Sequence, residues 1–149
     1  MNIAALDPGR EKCGFAVLAG DGHTLWQKVI ETATLEQVVE ETRAAYAFGT
    51  LIKGNGTTSR QAGERLASRF PDLTVETIDE YRTTELARDY YWADNPPKGL
   101  KRLLPLGLQT PPVPVDDYAA VILGRRWIQS QGKLAADLPH VPEKLQPRV

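Results

Sequence analysis

Apolar and polar positions along the chain fall into short runs punctuated by glycine, proline and aspartate. Asn2 to Asp7 is an apolar run that stops at the turn signal Asp7-Pro8-Gly9. Cys13 to Ala19 is a second run, and the Asp-Gly pair in Gly20-Asp21-Gly22 predicts a tight hairpin after it. His23 to Thr32 alternates less regularly, through Leu25, Lys28, Val29 and Ile30, and reads as a third strand. Leu35, Val38, Val39, Thr42 and Ala45 then recur near helical spacing, with Thr34 as the expected cap and Glu36, Glu40 and Glu41 on the other face. Thr50 to Lys53 reads as a buried strand before Gly54-Asn55-Gly56. Thr57 to Phe70 reads as a helix stopped by Pro71-Asp72, Leu73 to Ile78 as a strand, and Thr83 to Ala93 as a helix with Leu86, Ala87 and Tyr90 on one face.

The texture then changes. Six prolines between Pro96 and Pro114 remove backbone donors and exclude a long helix, so residues 95–114 are expected to form an irregular loop. Leu103, Leu104 and Leu106 are its expected apolar anchors. Asp116 to Gln131 predicts the last helix, which offers Ala119, Ala120, Ile122, Leu123 and Trp127 to the core, and Gly132 ends it. The order is three strands, helix, strand, helix, strand, helix, loop, helix. Adjacent strands predict an antiparallel meander. Strands reached through helices should run parallel by right-handed crossovers. The expected fold is α/β: a mixed five-stranded sheet, three antiparallel strands and then parallel ones, with helices on both faces. Residues 1–131 would form the domain and 132–149 a C-terminal tail.

Composition adds bounds. The 149 residues suit one domain, and 42% hydrophobic with 25% charged residues is ordinary for a globular chain. The single cysteine, Cys13, makes no internal disulfide and no four-ligand zinc site. It reads as a small buried side chain. No run approaches a membrane span and no signal-peptide pattern opens the chain, so the cytoplasm is expected. The net charge of −1 means that a phosphate partner must be met by a local patch, not by the field of the whole protein.

Three acids occupy telling places: Asp7 closing the first strand, Glu80 just past the fifth, and Asp116 opening the last helix. Ligands of open α/β sheets gather beyond the carboxyl ends of the parallel strands, where Asp7 and Glu80 would lie. Taken singly, aspartate before Pro-Gly is turn chemistry and aspartate at a helix start is a cap. Taken together, clustered carboxylates resist common ionisation. A divalent cation relieves that repulsion, and oxygen-only ligands favour Mg²⁺ or Mn²⁺. Two such ions form the clamp used for phosphodiester cleavage.

The segment Leu6 to Leu18, with Asp7, Gly9 and Gly14, resembles the opening strand pair of the YqgF/RuvX family. These are ribonuclease H-like proteins described as pre-16S rRNA nucleases or Holliday-junction resolvase-like proteins. Gly54 to Ser59 resembles the family's glycine loop, Asp79 to Ala87 its Asp-Glu-Arg-x-Thr-Thr-x-x-Ala motif, and Val115 to Leu123 its Val-Asp-x-x-Ala-Ala-x-Ile-Leu helix. The four motifs come in family order. The resemblance implies a ribonuclease H-like fold, catalytic and metal-holding roles for Asp7, Glu80 and Asp116, two Mg²⁺ or Mn²⁺ ions, and pre-rRNA or branched DNA as partner. The family's Gly-Leu-Pro-Leu is replaced by Leu51-Ile52-Lys53-Gly54. Tyr81 stands at its arginine position, with Arg82 displaced by one. Asp117 reads as a first-turn charge that favours the helix dipole.

Substrate contacts are expected from Gly54, Gly56, Thr57, Thr58 and Ser59, where glycines at a helix start let a phosphate approach. Arg82, Thr83, Lys98, Lys101 and Arg102 are the other candidates, with Tyr90, Tyr91 and Trp92 offering rings to bases. Glycines that serve only the turn, buried rings and solvated lysines are the plainer alternative. Arg60, Arg65 and Arg69 read as a solvated helix face. His23 and His140 are set aside, since neither is near a second histidine. Two other functions fit less well. A sugar-kinase or actin-like ATP-binding protein shares Asp-x-Gly, but it holds nucleotide between two such lobes, and 149 residues supply one. A non-catalytic ribosome-assembly module would be free to lose its acids, and here all three are present. A resolvase would work as a homodimer, because a four-way junction has two scissile strands.

Overall fold

A computed structural model describes residues 1–143. Strands β1 (Ile3–Asp7), β2 (Lys12–Leu18) and β3 (Thr24–Glu31) form an antiparallel meander. Strand β4 (Thr50–Gly54) adds parallel to β1, and β5 (Thr74–Ile78) parallel to β4, giving the sheet order β3-β2-β1-β4-β5. The helices are α1 (Leu35–Tyr46), α2 (Ser59–Arg69), α3 (Thr83–Asp94) and α4 (Asp116–Ser130). The mixed sheet expected from the apolar runs is therefore present. The Asp21-Gly22 hairpin closes through Ala19 N–H to the His23 carbonyl (2.8 Å) and Gly22 N–H to the Ala19 carbonyl (2.9 Å).

Strand alternation sends successive side chains to opposite faces. Ala4 and Leu6 of β1 and Cys13, Phe15 and Val17 of β2 meet Leu35 and Val39 of α1 and Ala62 and Leu66 of α2. Phe15 is fully buried and packs edge-on to Trp26, with ring centroids 5.9 Å apart. Burial of such a ring contributes roughly 1.5–3 kcal/mol. On the other face Ile3, Ala5, Ala16, Leu18 and Ile52 pack against Ala120, Val121 and Ile128 of α4. The same alternation turns Asp7 and Gly14 toward α4. Helix α4 lies so close to the sheet that a Cβ on Gly124 would come within 2.6 Å of Leu18.

Several local expectations change. Thr34 precedes α1 but does not cap it: its hydroxyl donates to the Glu31 carbonyl (2.8 Å) across a short 3-10 turn over Thr32–Thr34. Arg65 and Arg69 are not simply solvated. Arg65 binds Glu36 and the Thr32 carbonyl, and Arg69 pairs with Glu40, which ties α2 to α1. Leu103, Leu104 and Leu106 do not anchor the proline-rich segment. They are exposed, as are Leu100 and Leu108, because two short 3-10 turns (Gly99–Leu103 and Leu106–Leu108) carry the segment over the surface. Residues 132–143 fold back instead of trailing away. Val141 is buried with Ala87, Ala119 and Ile122, and the Ala135 N–H donates to the Asp21 carbonyl (2.9 Å). The rest of the expected tail, 144–149, lies outside the described residues.

Candidate active site

Asp7, Glu80 and Asp116 reach one edge of the sheet by three routes. Asp7 ends β1 and pairs directly across the ladder with Gly14 of β2. Helix α4 begins on top of that pair. A Cβ on Gly14 would sit 1.7 Å from the Asp116 carbonyl oxygen, so only glycine allows the helix start to rest there. Glu80 lies in the short connection between β5 and α3, and its side chain folds over the glycine loop after β4. A Cβ on Gly54 would fall 2.0 Å from Glu80 Oε1. Gly14 thus makes room for the backbone of Asp116, and Gly54 for the Glu80 carboxylate.

The electrostatics follow from this crowding. The Asp7 carboxyl is pushed up to about 7, first by burial and then by the charges of Glu80 and Asp116. Asp116 is also pushed up, by burial and by Asp117, with Lys12 opposing. Asp117 is engaged elsewhere, accepting a hydrogen bond from Gln27 Nε2 of β3 (2.8 Å). Among the described residues, no three acidic, histidine or cysteine side chains converge as a ready-made cation cage. The donor set nevertheless fits a hard divalent cation: the site offers carboxylate oxygens, and the repulsion that raises Asp7 is what such an ion would relieve.

The backbone N–H and carbonyl of Glu80 are both held. Its N–H donates to Asn55 Oδ1 (3.2 Å), and its carbonyl accepts from the Thr83 hydroxyl (3.0 Å) and N–H (3.1 Å). The flanking carbonyls of Asp79 and Tyr81 both accept from Arg126 of α4 at 2.7 Å. Arg126 is only 3% exposed. It went unremarked in the sequence, although its spacing carried a signal: residues 119, 122 and 126 share one helical stripe, and Arg126 is the charged member.

The expected substrate residues divide. Gly54 and Gly56 lie against Glu80. Thr57 is exposed, whereas Thr58 donates to the Pro8 carbonyl (2.9 Å), linking the glycine loop to the turn after Asp7. Ser59 is buried, bound to the Gly54 carbonyl and to Lys53, so its hydroxyl is committed to the loop. Thr83 is buried against the Glu80 carbonyl, and Arg82 is exposed, pairs with Glu85 (3.0 Å) and adopts a positive φ of 55°. Lys98 and Lys101 border an open groove of about 660 Å³ with Tyr91, Trp92, Leu104 and Leu108, while Arg102 is exposed beyond its lining. Tyr91 also packs edge-on against Tyr118, two residues past Asp116, with centroids 6.1 Å apart. This contact packs the groove wall against the first turn of α4, while Asp7, Glu80 and Asp116 lie outside the groove lining. Tyr90 instead packs inward, beneath Arg125.

Among solved structures, Thermus thermophilus RuvC superposes with a TM-score of 0.52 at 17% identity, covering 89% of this chain and 96% of that one. The fold is ribonuclease H-like. The same RuvC in complex with a Holliday junction substrate matches at 0.53, with 16% identity over 90% and 98% of the two chains. A Fowlpox virus resolvase in complex with Holliday junction DNA matches this ribonuclease H-like fold at 0.59, with 15% identity over 88% and 99%. No protein-family model and no curated protein matches the sequence. Among the described residues, no helix is long and apolar enough to cross a membrane.

Proposed function

We propose that this chain is a metal-dependent nuclease of structured nucleic acid, of the YqgF/RuvX kind. Its task would be 5′-end processing of pre-16S rRNA or cleavage of branched DNA. The observation that carries the reading is that the strand end at Asp7, the Glu80 connection and the α4 start at Asp116 are packed close through Gly14 and Gly54, with Asp7 pushed up to about 7 by burial and by its two acidic neighbours. The ribonuclease H-like fold supports it, as do the two resolvases described with Holliday-junction DNA.

Asp7, Glu80 and Asp116 are the residues that would hold Mg²⁺ or Mn²⁺, in a pair if the two-ion clamp applies. Bound there, divalent ions would lower the pKa of an attacking water and stabilise the departing oxygen. The chain's own groups do the rest. Asp7, whose proton is held first by burial and then by the charges of Glu80 and Asp116, would give that proton up to hold a cation. Glu80 is presented at a fixed angle by its hydrogen-bonded connection. Lys98 and Lys101 would meet phosphates of a strand laid across the groove, and Tyr91 and Trp92 would stack on its bases.

The test is a cleavage assay with Mn²⁺ or Mg²⁺. Labelled four-way junction, a pre-rRNA leader fragment and plain duplex and single-stranded controls are offered to wild type and to Asp7→Asn. Cutting that requires both metal and Asp7 is expected, and the preferred substrate selects between rRNA processing and junction resolution. Binding of either substrate without cutting would favour a non-catalytic ribosome-assembly module, the reading that the near-neutral net charge of −1 supports.

A further inference from the structure

We infer that Arg126 is a positioning residue for Glu80, and that the returning C-terminal segment through Pro142 seals it in place. The inference rests on the reading of Glu80 as a metal-holding acid. The guanidinium makes a two-point clamp: Nη1 donates to the Asp79 carbonyl and Nη2 to the Tyr81 carbonyl, each at 2.7 Å, so the peptides on both sides of Glu80 are tied to one rigid side chain. Arg126 lies on the same helix that starts with Asp116. One helix therefore carries one acid directly and aims a second through its arginine.

Nη2 makes a third bond, to the Pro142 carbonyl (2.9 Å). The chain reaches that point because Gln129, less than one turn beyond Arg126, grips Val141 twice: its amide accepts from the Val141 N–H (2.7 Å) and donates to the Val141 carbonyl (2.9 Å). Val141 is itself buried against α3 and α4. The returning segment thus adds a third carbonyl to the clamp. Asp79, Tyr81, Tyr90 and Glu143 are the charged or titratable groups around it. Arg126 Nε has no partner among the described residues.

The experiment compares full-length wild type, Arg126→Lys and Gln129→Ala by hydrogen exchange, Mn²⁺ titration calorimetry and cleavage kinetics. In Arg126→Lys, which keeps the charge and loses the fork, exchange should accelerate in peptides spanning residues 79–83 and stay unchanged in β1 and β2. Mn²⁺ should bind roughly 10–100-fold more weakly, with kcat lowered and KM kept. Gln129→Ala should move the same readouts less and in the same direction, which covers the case in which Arg126→Lys does not fold. Unchanged exchange at 79–83 with unchanged Mn²⁺ affinity would overturn the inference. So would acceleration spread evenly over the sheet, which would make Arg126 a support of the whole fold. If wild type binds no Mn²⁺, the metal reading fails, and the exchange pattern still decides whether the clamp exists.

Discussion

Helix α4 handles charge in opposite ways at its two ends. At its start, Asp116 is half-buried, its charge disfavoured by burial and by Asp117, and it adds in turn to the charge that raises Asp7. Ten residues on, Arg126 is more deeply buried, yet it is answered by three carbonyls. A buried charge with its partners in place ties structure together. A buried carboxylate whose proton affinity is raised by burial and by neighbouring acids stores binding capacity for a cation. The difference separates the frame of the site from the part that would do chemistry.

The comparison breaks most sharply at Asp7. Asp7→Asn should lower metal-dependent cleavage by roughly 10³-fold or more while the fold is kept. It should also stabilise the metal-free protein. The folded-state pKa near 7 lies above the unfolded value of 3.8, so the folded chain holds this proton more tightly. The Asp7 contribution is therefore best below pH 4, declines as pH rises to 7, and is fully unfavourable above that. Urea denaturation at pH 8 should find the variant more stable by roughly 2–4 kcal/mol.

Gly14→Ala attacks the packing of β2 against the start of α4 instead. Its Cβ would overlap the Asp116 backbone, so α4 must lift or β2 must bend. A loss of roughly 1–3 kcal/mol in urea is expected, with lower cleavage because Asp116 leaves Asp7. Lys98→Ala and Lys101→Ala should each weaken nucleic-acid binding across sequences and reduce the slope of log affinity against log salt by about 1. An unchanged slope would remove the groove from the substrate path.

The smallest effect concerns His23, which bridges Asp21 (3.0 Å) and Asp137 (2.9 Å) and joins the hairpin to the returning segment. Its pKa is raised by hydrogen bonds to Asp137 and then Asp21. The stabilisation is fully present below the ordinary histidine value and disappears as pH rises through the folded value. His23→Ala should lower Tm slightly at pH 6 and leave it unaltered at pH 9.

The sheet and all four helices were legible because apolar runs ended at strong turn signals such as Asp7-Pro8-Gly9 and Pro71-Asp72. The approach of Glu80 and Asp116 to Asp7 was legible because strand ends and helix starts predict which residues an α/β sheet gathers at one end. Arg126 was hidden by its type: arginine in a helix reads as surface, and only its place on the apolar stripe marked it as buried. Leu103, Leu104 and Leu106 misled for the converse reason. Hydrophobicity predicts burial only when an element can turn the side chain inward, and the short 3-10 turns there leave those leucines on the surface. The ties from α2 to Glu36 and Glu40 span 29 residues, beyond any local pattern.

Whether Asp7 and its neighbours take up a divalent cation is read most directly by titration calorimetry with Mn²⁺, without any substrate. At pH 6.5, wild type should bind saturably and release a proton as Asp7 ionises, and Asp7→Asn should lose both signals. Equal binding by the two proteins, or no saturable binding by wild type, would contradict the metal reading.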